Sequence, residues 1–150
     1  MKTSTGCTVL FLIFFLTSCQ TVDITYDYDP NLDFSKYETY RWYSKDITGD
    51  KLAKMPLVKK RIVFSVDKNL KEKGLILVED GNSDLILVAH TGKHEKPSLI
   101  LDFVDVQTKE LVWRSEATEV DIDYDNPEKR QTEIDKLITR MLAQFPPMPQ

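Results

Sequence analysis

The chain has 150 residues, 41% of them apolar and 29% charged, with only 5 glycines and 7 prolines. That balance belongs to a globular domain and excludes disordered, collagenous and low-complexity chains. Acidic residues outnumber basic ones 24 to 20, for a formal net charge of −4, which argues against a nucleic-acid partner, since such a partner calls for a basic stripe.

The amino terminus reads as an address. Lys2 gives a short basic start, Val9 to Leu16 is wholly apolar, and Thr17 and Ser18 are small residues just ahead of Cys19. This is the order of a secretory signal peptide. The apolar run is far shorter than the roughly 20 residues of a membrane-spanning helix. Leu16-Thr17-Ser18-Cys19 resembles the bacterial lipobox, in which the cysteine thiol is lipidated and the chain is cut just before it. Cys7 has no apolar run ahead of it, and a cut elsewhere would leave Cys19 an ordinary thiol.

The lipobox resemblance implies a removed segment 1–18 and a mature chain 19–150 of 132 residues, enough for one domain with a real core. Lys2 is the only charge removed, so the net charge becomes −5. No disulfide can form, because Cys7 leaves with the signal and Cys19 carries acyl chains, palmitate among them. Each buried methylene contributes about 0.8 kcal/mol, so several chains make a permanent anchor. The acidic chain as a whole adds no attraction toward anionic lipid.

Val22, Ile24, Tyr26 and Tyr28 alternate with polar residues and predict a half-buried strand over 21–29, starting almost at the lipid. The few residues between Cys19 and that strand span only about 10–15 Å at roughly 3.3 Å each, so the domain is held close to the headgroups. A turn at Asp29-Pro30-Asn31 leads to an aromatic-rich strand over 37–43, and the polar run 44–54 reads as a loop. Pro56 opens a helix in which Val58, Ile62, Val63, Val66 and Leu70 recur at helical spacing, with Gly74 as its cap. Lysine and arginine cover the opposite face; contact with phosphate headgroups and plain solvation both fit that pattern.

Leu75 to Val78 predicts a short strand, and Asp84 to His90, apolar at consecutive positions, a strand inside the sheet. Two longer strands follow, Leu99 to Val106 and Glu110 to Ile122, joined by a hairpin in which Lys109 takes a left-handed conformation. Setting Phe103 opposite Trp113 places Leu101 against Ser115, Leu99 against Ala117, and Asp102 against Arg114 on the other side of the sheet. The face opposite Trp113 then carries Ile100, Val104, Val112, Val120 and Ile122 beside Asp102, Arg114 and Glu116, a mixture too apolar for an ordinary wet surface. Either it receives a partner, or a loop or the first strand covers it. Asn126-Pro127 opens the last helix, capped by Asp125 or Asn126, with Ile134, Leu137, Ile138, Met141 and Phe145 as its apolar stripe. The expected fold is α+β, a mainly antiparallel sheet of five to six strands with two helices packed on one face.

Several segments, taken in order, resemble a family of bacterial envelope lipoproteins known as domain of unknown function 4136. They are Tyr28 to Trp42, Lys73-Gly74, Ser83 to His90, Leu111 to Arg114 and Phe145 to Pro147. The resemblance spans nearly the whole mature chain and implies an α+β periplasmic domain on an outer-membrane lipid anchor. It supplies no activity and no catalytic residue. Between His90 and Ser98 the chain lacks a longer Gly- and aromatic-rich insertion that many members carry. Gln20 stands where an aspartate retains enteric lipoproteins in the inner membrane, which favours the outer one.

Candidate chemistry is sparse. His90 and His94 would share a helix face and could ligate zinc, but they leave a strand for a turn and have no third ligand. Asp121, Asp123 and Asp125 imitate a calcium loop, yet Thr132 stands where the closing glutamate belongs and Pro127 begins a helix too soon. No nucleophile elbow, Cys and His pair or phosphate loop is present in the mature chain. The sequence therefore predicts no metal, no cofactor and no catalytic residue. It predicts a non-enzymatic lipoprotein binding or assembly module, anchored through Cys19 and docking an envelope protein on its exposed sheet face. The alternative is a small apolar-ligand carrier or sensor with a pocket between sheet and helices. Changing Cys19→Ser is expected to leave an unprocessed precursor and to abolish acyl labelling; normal processing and labelling of the variant would refute the address.

Overall fold

The structure, a computed structural model, describes residues 22–45, 47–79, 81–92, 97–120 and 126–147. Its strands are β1 (Asp23–Tyr28), β2 (Thr39–Trp42), β3 (Ile76–Leu77), β4 (Leu85–Thr91), β5 (Ser98–Asp105) and β6 (Leu111–Thr118). The helices are α1 (Pro56–Glu72) and α2 (Pro127–Met141), with short 3-10 turns at Phe34–Lys36 and Leu52–Lys54. The strands form one open sheet in the order β1-β6-β5-β4-β2-β3. Pairs β1/β6, β5/β6 and β4/β5 are antiparallel, whereas β2 lies parallel to both β3 and β4. The parallel β2/β3 pairing follows from connectivity, since α1 carries the chain back along the sheet between these two strands.

The turn after β5 is built by Asp105. Its Oδ1 accepts the amides of Gln107 and Thr108 at 2.7 and 3.1 Å, its Oδ2 accepts the Tyr37 hydroxyl at 2.8 Å, and Lys36 Nζ lies 3.3 Å away. Burial alone would raise the Asp105 pKa, but these donors hold it down at about 2. Lys109 adopts φ 65°, as the hairpin requires. The resulting register pairs Phe103 with Trp113, Leu101 with Ser115, Leu99 with Ala117 and Asp102 with Arg114.

One face of the sheet thus presents Tyr40, Leu85, Leu87, Leu99, Leu101, Phe103, Trp113 and Ala117, all 2% exposed or less, to both helices. From α1 come Val58, Ile62, Val66 and Leu70, and from α2 Ile134, Leu137, Ile138 and Met141. Phe145 closes the layer beyond α2, its ring centroid 4.5 Å from Phe103, 5.3 Å from Trp113 and 6.1 Å from Phe34. Aromatic edge-to-face contacts of this kind stabilise beyond their buried area.

Several boundaries differ from the sequence reading. Strand β2 begins at Thr39 because Tyr37 caps a 3-10 turn and sends its hydroxyl to Asp105. The 44–54 segment is more than a polar loop, for it ends in the Leu52–Lys54 turn with Leu52 fully buried. Strand β6 stops at Thr118, since Glu119 takes φ 61° and turns the chain. Val120 then enters the core instead of the outer face. Val112 does the same: the register shifts between Phe103 and Val104, so Val104 pairs with Leu111 and Val112 becomes a bulge residue in the core cluster. Ile122 lies outside the described residues. Asn126 is the cap of α2, accepting the amides of Glu128 and Lys129 at 2.8 and 2.9 Å.

Truncating Phe145→Ala should lower the unfolding free energy by about 3–5 kcal/mol, the usual effect of an aromatic core deletion. Urea unfolding measures it. A loss below about 1 kcal/mol, within the range of a surface substitution, would show that the terminal ring does not seal the core.

Candidate functional site

The other face of the sheet carries cross-strand rows set by the same register. Asp27, Arg114, Asp102 and Val88 form one row across β1, β6, β5 and β4; Thr25, Glu116, Ile100 and His90 form the next. Asp102 joins the rows. Arg114 donates to it bidentately, Nε to Oδ1 at 2.6 Å and Nη2 to Oδ2 at 2.7 Å, and His90 Nε2 lies 3.0 Å from Oδ2. The other His90 nitrogen, Nδ1, sits 3.3 Å from the Thr91 carbonyl oxygen. Both ring nitrogens therefore face acceptors, a geometry that suits the doubly protonated imidazolium.

Burial of Asp102 by itself would raise its pKa, but the His90 and Arg114 contacts prevail and hold it below the usual carboxylate range. The hydrogen bond to Asp102 raises His90 above its ordinary 6.5, against the opposing pull of burial. With Arg114 bidentate on its oxygens and His90 beside them, Asp102 is a fixed element of a hydrogen-bonded network, poorly suited to accept a substrate proton.

Beside this network the 47–51 loop is pinned to the end of β4. Asp50 Oδ1 accepts from the Thr91 amide at 2.9 Å, the Thr91 hydroxyl at 2.8 Å and the Leu52 amide at 3.0 Å, while Lys51 donates its amide to Thr91 Oγ1. Between loop and sheet lies a cleft of about 520 Å³ lined by Ile47, Thr48, Lys51, His90, Thr91 and Ile100, among others. Of its sheet residues, His90 and Ile100 belong to the outer face. Between sheet and helices, where the alternative carrier reading expects a pocket, the described residues pack Phe103, Trp113, Phe145 and their aliphatic neighbours into a buried cluster.

The Asp102 and Arg114 pair is where the sequence places it. His90 is not half of a zinc pair but the third member of that network, and His94 lies outside the described residues. So do Cys19 and Asp121 to Asp125. Among the described residues no group of three or more His, Cys, Asp or Glu could hold a metal. Nor is any helix among them long and apolar enough to cross a membrane. Strand β1 does not cover the outer face; it pairs with the edge of β6 and widens it. Sequence reasoning missed the His90 and Asp102 contact, which depends on the β4/β5 register. It also missed the Asp50 clip, whose partner Thr91 is 41 residues away.

The model of a family described as domain of unknown function DUF4136 matches the chain over residues 24–98 and 90–147. The chain belongs to the DUF4136 family. The two matched segments overlap over residues 90–98. No curated protein sequence matches this DUF4136 chain. Among solved structures it is similar to a PDZ domain protein from Parabacteroides distasonis at 14% identity and TM-score 0.62, covering 85% of this chain and 36% of that one. It thus spans about a third of that protein's length. It is also similar to a PelC dodecamer from Paraburkholderia phytofirmans at 11% identity and TM-score 0.51, covering 82% of this chain and 96% of that one. At such identities the likeness is one of fold alone.

The network predicts two pH effects on the stability of this DUF4136 domain. Because His90 is raised in the folded state, its contribution is fully present below the ordinary value of 6.5 and is lost as pH rises through the raised value. Asp102 is lowered, so its contribution is present above the ordinary 3.8 and is lost as pH falls through the lowered value. Urea unfolding across pH should show the first loss in the parent and not in His90→Gln; identical profiles would refute it. Arg114→Leu, which strands a mostly buried carboxylate but removes a partly exposed partner, should cost about 1–3 kcal/mol.

Proposed function

We propose that this DUF4136 protein is a non-enzymatic binding module of the bacterial envelope, anchored through lipidated Cys19 in the outer membrane and facing the periplasm, where its outer sheet face docks another envelope protein. The observation that supports this most is the Asp102, Arg114 and His90 network, which presents pre-ordered charges between half-buried Ile86, Val88 and Val104. Arginine held rigid beside apolar side chains is a common composition at the centre of protein interfaces. Complementary acidic and basic groups on a partner would meet Arg114 and the exposed Asp27 on this face.

A second reading, a carrier of a small apolar ligand, draws on the cleft, whose Ile47 and Ile100 give it apolar walls. One experiment separates the two. A photo-crosslinking residue is placed in intact cells at Thr25 on the outer face, at Thr48 on the cleft, and at Lys136 on α2 as a control. Docking predicts a discrete protein adduct from Thr25 that is lost with Arg114→Glu and absent from Lys136. An adduct formed equally at all three positions would count against it. A small lipophilic adduct at Thr48, with no protein captured at Thr25, would favour the carrier.

A further inference from the structure

Helix α1 buries Val58, Ile62, Val66 and Leu70 against the sheet, and what it leaves outside is not an ordinary solvated face. Leu57, Lys60, Phe64, Lys68 and Lys71 follow at steps of three, four, four and three. At roughly 100° per residue they form one row pointing away from the core. Leu57 is 69% and Phe64 62% exposed, the two highest values among the exposed large apolar side chains of the described residues. Of the helix's acids, Asp67 is held by the Tyr40 hydroxyl and Trp42 Nε1 at 2.8 and 2.9 Å, and Glu72 is in the last turn.

We propose that this row of α1 lies on an anionic lipid surface, with Leu57 and Phe64 entering the headgroup layer and the lysines meeting the phosphates. Net charge, at −4, says nothing about this, because an exposed lysine row creates its own local field. Lysine stems lie along apolar surface while their ammonium groups stay at the headgroups, and a helix with leucine and phenylalanine set among lysines binds an interface by area and charge together. Two apolar side chains two turns apart, about 10 Å along the axis, offer little area for a stable protein contact but suit insertion into a bilayer surface.

The placement agrees with an anchored chain. Lys51, just ahead of α1, bonds Thr91 at the end of β4; Thr91 pairs with Leu99, and neighbouring Ser98 pairs with Thr118, itself the partner of Asp23. The start of α1 and the start of β1 therefore lie at one end of the sheet, and β1 is the strand nearest Cys19 in sequence. The inference rests on the lipid-anchored reading for this agreement alone.

The test uses the full protein as purified from cells. Cys7 and Cys19 are the only cysteines, the first expected to be cleaved and the second lipidated, so a cysteine introduced at Phe64 or, as control, at Thr108 carries an environment-sensitive fluorophore. The labelled protein is added to vesicles of phosphatidylcholine with or without phosphatidylglycerol. Flotation with both compositions reports the anchor. The row predicts a blue shift and several-fold stronger quenching by spin-labelled lipid at position 64 than at 108, only with phosphatidylglycerol, and reversed by salt. In the protein labelled at position 64, Lys60→Glu with Lys68→Glu should weaken the effect. A probe at 64 that stays water-exposed on anionic vesicles overturns the proposal, whether or not the protein floats. Protection at 64 by added envelope proteins without vesicles would make the row a protein-docking face and overturn it too.

Discussion

The pairing of β5 with β6 is the constraint on which the rest depends. Side chains alternate with a period of two along a strand, so a slip of one residue would exchange the two faces. With β5 held in place, Trp113 and Ala117 would leave the core and Arg114 would enter it. Asp105 prevents the slip at the turn, where its carboxylate holds two amides of the turn and ties the hairpin to Tyr37. The same register that packs Phe145 against Phe103 and Trp113 sets Asp102 beside Arg114 on the opposite side. Core and ionic network are thus two consequences of a single alignment.

Around that hairpin the sheet grows in two different ways. On one side β1 adds antiparallel to β6 and widens the outer face toward the amino terminus. On the other, β4 returns antiparallel to β5, and β2 then joins in parallel, with Asp84 clamping the amides of Glu38 and Thr39 at its start. The helices both cover the inner face, so the outer face keeps its charges at half-buried positions where water screens them less than on an open surface. Arg114 and His90 on one carboxylate make that arrangement stiff. The basic row of α1 points the other way, away from the sheet, and separates the two candidate contact surfaces by the whole thickness of the domain.

Much of this was legible because local pattern and tertiary fold agree. The helical spacing from Val58 to Leu70, the alternation from Val22 to Tyr28 and the consecutive apolar run from Leu85 each gave the right element, and pairing Phe103 with Trp113 gave Asp102 and Arg114 as neighbours. The misreadings occur where one residue is diverted by a long-range contact or a rare backbone angle. Tyr37 reads as strand by composition but is drawn away by a buried carboxylate 68 residues distant. Val112 and Val120 read as outward by parity, and a bulge and the φ of Glu119 reverse them. Leu57 and Phe64 were visible in the sequence all along; that they stand exposed among lysines follows from the side of α1 that the core claims.

By itself the sequence determined the α+β class, the elements and their order, the hairpin register and the lipobox expectation at Cys19, since each rests on spacing along a few neighbouring residues. Tertiary structure alone decided that β2 lies parallel between β4 and β3, that His90 completes the Asp102 network, and that a cleft forms between the 47–51 loop and the end of β4. These depend on contacts between segments tens of residues apart. Such contacts are fixed by how the whole chain closes its core, and no local period records them.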